Sequence, residues 1–355
     1  MATRAAGGFC IPGREDACSS DVDACSQARC DEQLAACLAG DQAESVSADP
    51  TRSDHPAEVA NQSKSSTDCR DWSGASSKTK PRHEPAKGAR SRPGKVRDLA
   101  AVWRDTRKHL KRLCKEPAPV FVHDFEPSFH LDPYAKGVHD ASYHCRVALS
   151  AEDVLQAAVR VSVGAGERAL VLNFASKNIP GGAVASGVLA QEETIYRRTS
   201  LAMFLDPEKP PRCYPLPPGR CIVSQQVAVV KSIEYEWLAL PFPEIDIVSS
   251  AAEQKPAIAG DGLRYANAEE MTQRAQAVLQ AAMRVGSRNL VLGAWGCGGF
   301  RNPPYGLAEI FRELLFDKGY GACFDYVEFA VPAEKHAQHF RAVFGKAFTA
   351  PLGLE

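Results

Sequence analysis

The chain has 355 residues, 45% of them hydrophobic, enough for one large domain or two ordinary ones with a sizeable core. Its formal net charge of -1 leaves no basic surplus to draw the whole molecule onto nucleic acid or an acidic membrane surface. The opening MATRAAGGFCIPGRED lacks the charged-then-apolar pattern of a secretory signal, and no run of about 18 apolar residues could span a bilayer. A soluble intracellular protein, nuclear or cytoplasmic and without membrane contact, is expected.

In chain order, the first feature is a set of six cysteines: Cys10, Cys18, Cys25, Cys30, Cys37 and Cys69. Cys18 to Cys25 and Cys30 to Cys37 repeat at a spacing that would stack each pair on one face of a helix, as in a stapled hairpin or a metal site. There is no Cys-x-x-Cys pair, and the surrounding Asp, Ser, Ala and Gln favour a disordered leader over a metal site. Residues 38–96 carry almost nothing to bury. They end in SKTKPRHEPAKGARSRPGKVRD, basic and broken by proline, which reads as a solvated linker, with a nuclear address or loose nucleic-acid contact as the alternative. Residues 1–96 are therefore assigned to a disordered leader and linker, and residues 97–355 to one folded domain.

The character changes at Leu99, where LAAVWRDTRKHLKRL spaces Leu99, Val102, Trp103, Thr106, Leu110 and Leu113 as an amphipathic helix. AEDVLQAAVRVSVGAG predicts a second helix ended by glycine, leading into a buried strand, RALVLNF (168–174). RCIVSQQVAVVKS (220–232) and EIDIVSSAA (244–252) read as strands, and AEEMTQRAQAVLQAAMRVG (268–286) as the best helix in the chain. RNLVLGAWGCGGF is a strand opening into a glycine loop, DYVEFAV (325–331) a last strand and AEKHAQHFRAVFG a last helix. The alternation predicts an α/β sandwich with a largely parallel central sheet, and no repeat at a fixed period is present. The cysteines scattered after residue 100 read as ordinary buried thiols.

Two loops carry the chemistry. Pro180-Gly181-Gly182-Ala183 follows RALVLNF, and Gly296-Cys297-Gly298-Gly299 follows RNLVLGAW. Strand ends of open α/β sheets bind ligands, and glycine there lets backbone N–H groups approach an anion, so the pair suggests a diphosphate clamp. Neither loop continues into Gly-Lys-Ser/Thr or has Gly-x-Gly-x-x-Gly opening a helix, which removes the usual signatures of triphosphate hydrolysis and hydride transfer. Gln191-Glu192-Glu193 runs into TIYRRTSLAMF as a loop entering a helix, where first-turn acids suit the helix dipole. That preference explains the acids but not the glycine lid upstream. No metal-ligand constellation is present after residue 97, and neither a metal nor a cofactor is expected.

The stretch NFASKNIPGGAVASGVLAQEETIYRRTSL resembles the signature of microbial-type poly(ADP-ribose) glycohydrolases, in which Gly-Gly-Gly precedes Gln-Glu-Glu by six to eight residues; here residues 184–190 separate them. LVLGAWGCGGFRNPP resembles the family's second loop, and the likeness covers about residues 97–335. The resemblance implies a macrodomain-like three-layer α/β/α sandwich with a mixed central sheet that holds ADP-ribose at its strand ends. It implies that Glu193 is the catalytic acid and that Glu192 holds hydroxyls of the ribose being cleaved, while Gln191 helps fix the loop. Gly181 and Gly182 would cover the diphosphate or ribose, Gly296, Cys297, Gly298 and Gly299 would line the other side of the diphosphate, and Phe300 would pack near the sugar. Asn173 and Asn178 stand where the family uses polar groups near the ribose. Cleaving a ribose-ribose bond needs a proton for the leaving oxygen and then an activated water, which one protonated carboxyl can serve in turn. The side chains of adjacent glutamates are expected to diverge, so Glu192 would orient substrate rather than attack it. Ala183 replaces the third glycine, and Ile179 stands before the proline where many relatives have Asn. Cys297 has no histidine near it in sequence, so the thiol lacks the paired base of a nucleophile.

The implied activity is release of ADP-ribose from poly(ADP-ribose) or ADP-ribosylated protein by a monomer. A reader that binds ADP-ribose without cleaving it, and a hydrolase of mono-ADP-ribosylated protein or nucleobase, are the alternatives. Retention of both glutamates favours an enzyme, and Ala183 points toward the reader.

Overall fold

A computed structural model describes residues 98–134 and 145–354. The leader assigned to residues 1–96, with its cysteines and basic end, lies outside the described residues. Asp98 caps the first helix, α1 (Leu99–Leu113), accepting from the Ala100 and Ala101 N–H groups at 3.0 Å each. The short strands β1 (Phe121–Asp124) and β2 (Arg146–Ser150) come next. Asp153 caps α2 (Val154–Ala165), which Gly166 ends at φ 70°, a left-handed conformation that costs glycine little. β3 (Leu170–Phe174), α3 (Gln191–Arg198), β4 (Arg220–Ala228), β5 (Glu244–Ser250), α4 (Glu269–Arg284) and β6 (Asn289–Leu292) follow. The chain continues through α5 (Pro304–Arg312), β7 (Tyr326–Ala330), α6 (Glu334–Phe344) and the two-residue β8 (Phe348–Thr349).

The strands form one eight-stranded sheet in the order β1-β4-β5-β3-β6-β7-β2-β8. β1 and β4 run antiparallel to their neighbours and every pairing from β5 to β8 is parallel, so the sheet is mixed. Because a parallel strand between helical layers is buried on both faces, β3, β6 and β7 read as nearly unbroken apolar runs. Alternate residues then enter two different cores. Leu170 and Leu172 pack with Met271, Val278 and Phe311 from α4 and α5, whereas Val171 packs with Trp103, Leu155 and Ile195 from α1, α2 and α3. The result is the three-layer α/β/α sandwich expected.

The expected strand over 220–232 ends at Ala228. A bulge at Ser224–Val227 puts Gln226 at φ 59°, and beyond it the Val230 N–H turns away to donate to the Arg198 carbonyl. Four of the cysteines after residue 100, Cys145, Cys221, Cys297 and Cys323, are buried, and Cys114 and Cys213 are half-buried. No helix among the described residues is long and apolar enough to cross a membrane.

Phe329, fully buried on β7, meets the rings of Phe311, Phe340, Phe344 and Phe348 at centroid distances of 5.1 to 6.4 Å. Truncating it empties the junction of α5, α6 and β8. Phe329→Ala is expected to lower unfolding free energy in urea by about 3–5 kcal/mol.

Candidate active site

β3 and β6 are parallel neighbours, paired Leu170 with Leu290 and Val171 with Val291, so the loops that leave them start side by side. Their origins touch: a Cβ at Gly293 would lie 3.1 Å from the Phe174 ring and 2.9 Å from the Ala330 carbonyl oxygen. The first loop then folds over the start of α3, which begins on Gln191.

The Gln191 side chain plugs the end of β3. Its Oε1 accepts from the Phe174 N–H at 2.9 Å and its Nε2 donates to the Leu172 carbonyl at 2.8 Å. Glu192 and Glu193 are both buried. The Ser176 N–H donates to Glu192 Oε2 at 2.8 Å and the Gly181 N–H to Glu192 Oε1 at 2.9 Å, so both oxygens of this carboxyl are held by backbone. Glu193 Oε1 accepts from the Ala183 N–H at 3.0 Å, and its second oxygen has no hydrogen-bond partner among the described residues. The two side chains were expected to diverge; instead both reach the glycine loop. A Cβ at Gly182 would lie 2.7 Å from Glu193 Oε1 and 3.0 Å from Glu192 Oε2. The cause is the loop itself, which crosses the first turn of α3 and draws both carboxyls toward its N–H groups.

Glycine is required at two of the three loop positions. Gly181 has φ 75° and Gly182 φ 52°, the left-handed region, and neither has room for a side chain. Ala183 has φ -101°, which any L-residue adopts, so the third glycine is dispensable to the turn. The N–H groups of this loop are all engaged within the chain, because Gly182 donates to the Ile179 carbonyl at 3.2 Å. The N–H groups of the first loop are therefore turned onto the protein's own carboxyls and carbonyls.

The second loop is the reverse. Gly296, at φ 74°, lets the chain turn where a Cβ would collide with Asn302 and Ala252. Asn302 is buried and ties the loop closed. Its Nδ2 donates to the Glu253 and Gly296 carbonyls at 2.7 and 3.2 Å, and its Oδ1 accepts from the Tyr265 hydroxyl at 3.0 Å. The N–H groups of Gly298, Gly299 and Phe300 have no acceptor among the described residues, and Gly298 and Gly299 are exposed with open space where a Cβ would be. Successive free N–H groups of this kind form a concave anion site. The Cys297 thiol is buried, its acidity suppressed by desolvation, which disfavours the thiolate.

A family model described as microbial-type PARG, catalytic domain, matches residues 104–231. A solved structure of poly(ADP-ribose) glycohydrolase from Thermomonospora curvata is 30% identical, with a TM-score of 0.59, covering 70% of this chain and 99% of that one. The chain belongs to the microbial-type poly(ADP-ribose) glycohydrolase family. A second Thermomonospora curvata structure of the glycohydrolase, bound to the inhibitor ADP-HPD, is likewise 30% identical over 70% of this chain and 99% of that one, at a TM-score of 0.57. No curated protein sequence matches the chain.

The segment matched by the glycohydrolase family model contains the first loop and both glutamates, while the second loop lies beyond it. Of the other residues singled out from sequence, Asn173 is fully buried on β3, donating to Ser249 Oγ at 3.0 Å, with its Oδ1 buried and unpartnered. Asn178 is exposed, its N–H 3.4 Å from Ser176 Oγ, and Phe300 is half-buried against the core on the α4 side. Three residues that hold the glycohydrolase loops were not anticipated: Ser176, Asn302 and Arg197. Arg197 stands one turn beyond Glu193, fully buried, donating to the carbonyls of Val184, Val188 and Leu99. Its spacing of four from Glu193 was the available signal. Among the described residues no group of three or more His, Cys, Asp or Glu is placed to hold a metal.

Burial pushes the Glu192 carboxyl up to about 8, aided by the neighbouring Glu193 charge, against hydrogen bonds from Ser176, Gly181 and Asn173 that favour its ionised form. In the unfolded chain the same group titrates near 4.5. Between these values the folded state holds the extra proton, so this group's contribution to stability falls as pH rises through that window. Glu192→Gln removes the titration. Urea unfolding at about pH 5 and about pH 8 should show wild type losing stability relative to the variant as pH rises; parallel curves would contradict this.

Proposed function

We infer that the chain is a poly(ADP-ribose) glycohydrolase, hydrolysing the ribose-ribose O-glycosidic bond and releasing ADP-ribose, with residues 97–355 as its catalytic domain. One observation carries the residue roles: Glu193 is buried beside a second carboxyl, yet keeps one oxygen free while the glycine loop holds the other. A protonated Glu193 gives its proton to the leaving ribose oxygen as the glycosidic bond breaks. The bond's electron pair leaves with that oxygen, and an oxocarbenium-like centre develops at the anomeric carbon. Glu193, now ionised, takes a proton from a water as the water's oxygen bonds to that carbon, which restores the acid.

Glu192 has both oxygens fixed by backbone donors, which suits a group that orients ribose hydroxyls through its remaining lone pairs. The free N–H groups at Gly298, Gly299 and Phe300 suit the diphosphate, and the half-buried Phe300 ring suits the face of a sugar. Gln191 and Gly182 keep the loop over the glutamates. Asn173 and Asn178 are assigned to the ribose side, the fully buried Asn173 through its hydrogen bond to Glu192.

Glu193→Gln should lower kcat for ADP-ribose release by about a hundred- to ten-thousand-fold, the usual worth of a general acid-base group. Calorimetric binding of ADP-ribose, with EDTA present throughout, should change little. A variant that still turns over, or a wild type that binds ADP-ribose without releasing it from polymer, would refute the assignment. Gly182→Ala puts a methyl against both carboxyls. It should depress kcat more than it raises KM, because it disturbs groups that act in the transition state.

A further inference from the structure

A groove of about 910 Å³ runs between α1 and the segment after α3. Its apolar lining includes the half-buried Met203, with the buried Trp103 and Leu110 behind it, and its rim carries Lys108, Lys111 and Lys209. These three lysines are exposed, and none is paired with a carboxylate among the described residues. The acids nearby are otherwise engaged: Asp206 and Glu208 both pair with Arg107, the former at 3.6 Å. Because those two acids share one guanidinium, they and Glu116 offset part, but not all, of the lysine charge.

The groove joins the loop that shelters the glutamates. Ala185, two residues after Ala183, forms part of its wall. On the other side, Pro207 sits between Asp206 and Glu208 and packs on the same loop, so that a Cβ at Gly181 would lie 3.0 Å from its ring. The groove therefore shares a wall with the loop that holds the two carboxyls.

We propose that this groove binds the next stretch of the polymer, the anionic units attached through the bond being cut. This rests on the glycohydrolase reading above. Each unit brings a diphosphate, whose negative charge the lysines of the rim complement. The groove thus sets a preference for chain length without taking part in the chemistry.

The test compares kcat/KM for long poly(ADP-ribose) with that for a short substrate, an ADP-ribose glycoside whose leaving group carries no further ADP-ribose unit. In Lys108→Ala/Lys111→Ala/Lys209→Ala the ratio of long to short should fall by about tenfold, and the salt dependence on long polymer should become shallower by roughly 0.7 in log-log slope for each phosphate that the variant no longer neutralises. Arg112→Ala removes a charge from the same helix outside the groove and should leave the ratio in place, whereas Lys111→Ala alone should lower it. An equal proportional loss on both substrates, no loss on either, or the same effect from Arg112→Ala would overturn the groove. Failure of wild type to release ADP-ribose from either substrate would instead overturn the glycohydrolase reading. The substituted side chains are exposed, so loss of fold is not expected, and unchanged urea unfolding of the triple variant checks it.

Discussion

Burial of two adjacent carboxyls under a loop of backbone N–H donors is the constraint to which the rest of the site conforms. A buried carboxylate without hydrogen bonds costs several kcal/mol, and neighbouring carboxylates repel as well. Here three N–H groups, from Ser176, Gly181 and Ala183, are brought to three of the four oxygens. That is possible only where the backbone turns left-handed twice in succession, at Gly181 and Gly182, with no Cβ in the way. The glycine pair is a way of aiming donors inward.

The loop must then be held from outside, and the outer layer does this. Arg197 gathers carbonyls from both ends of the turn and from the start of α1. Thr106 on α1 donates in return to the Arg197 carbonyl at 2.7 Å, and Trp103 meets the Tyr196 ring edge-on at 6.1 Å. The Tyr196 hydroxyl donates to the Leu205 carbonyl at 3.1 Å, tying in the segment that carries Pro207. A helix far from the carboxyls in sequence is thereby part of their support, and strain introduced in α1 would be felt at Glu193 through packed groups.

Much of this architecture was legible in the residues. β3, β5, β6 and β7 announced themselves as apolar runs because both their faces are covered, and α1, α2, α4 and α6 by helical spacing with caps or glycine ends. β1 and β2 escaped because FVHD and RVALS are short and mix polar with apolar residues, and α5 because its Pro303-Pro304 start reads as a turn, although proline suits a first helical turn. The glutamates stood out because they follow a glycine loop, and their roles are what the resemblance to the family signature implies. The partners that make them usable did not stand out, since Ser176 acts through its backbone N–H and Asn302 acts across the fold on Tyr265 and Glu253, and neither leaves a pattern in sequence.

The two loops of the cleft are opposite in hydrogen-bonding sense. The first has its N–H groups turned onto the protein's own carboxyls and leaves acceptor oxygen facing outward at Glu193; the second leaves three successive donors free at Gly298, Gly299 and Phe300. One wall accepts and the other donates. On the glycohydrolase reading, a nucleotide sugar meets both walls with its hydroxyls toward α3 and its phosphates toward the loop after β6. On that reading the opposite hydrogen-bonding sense of the two walls sorts the ends of the ligand before shape is consulted.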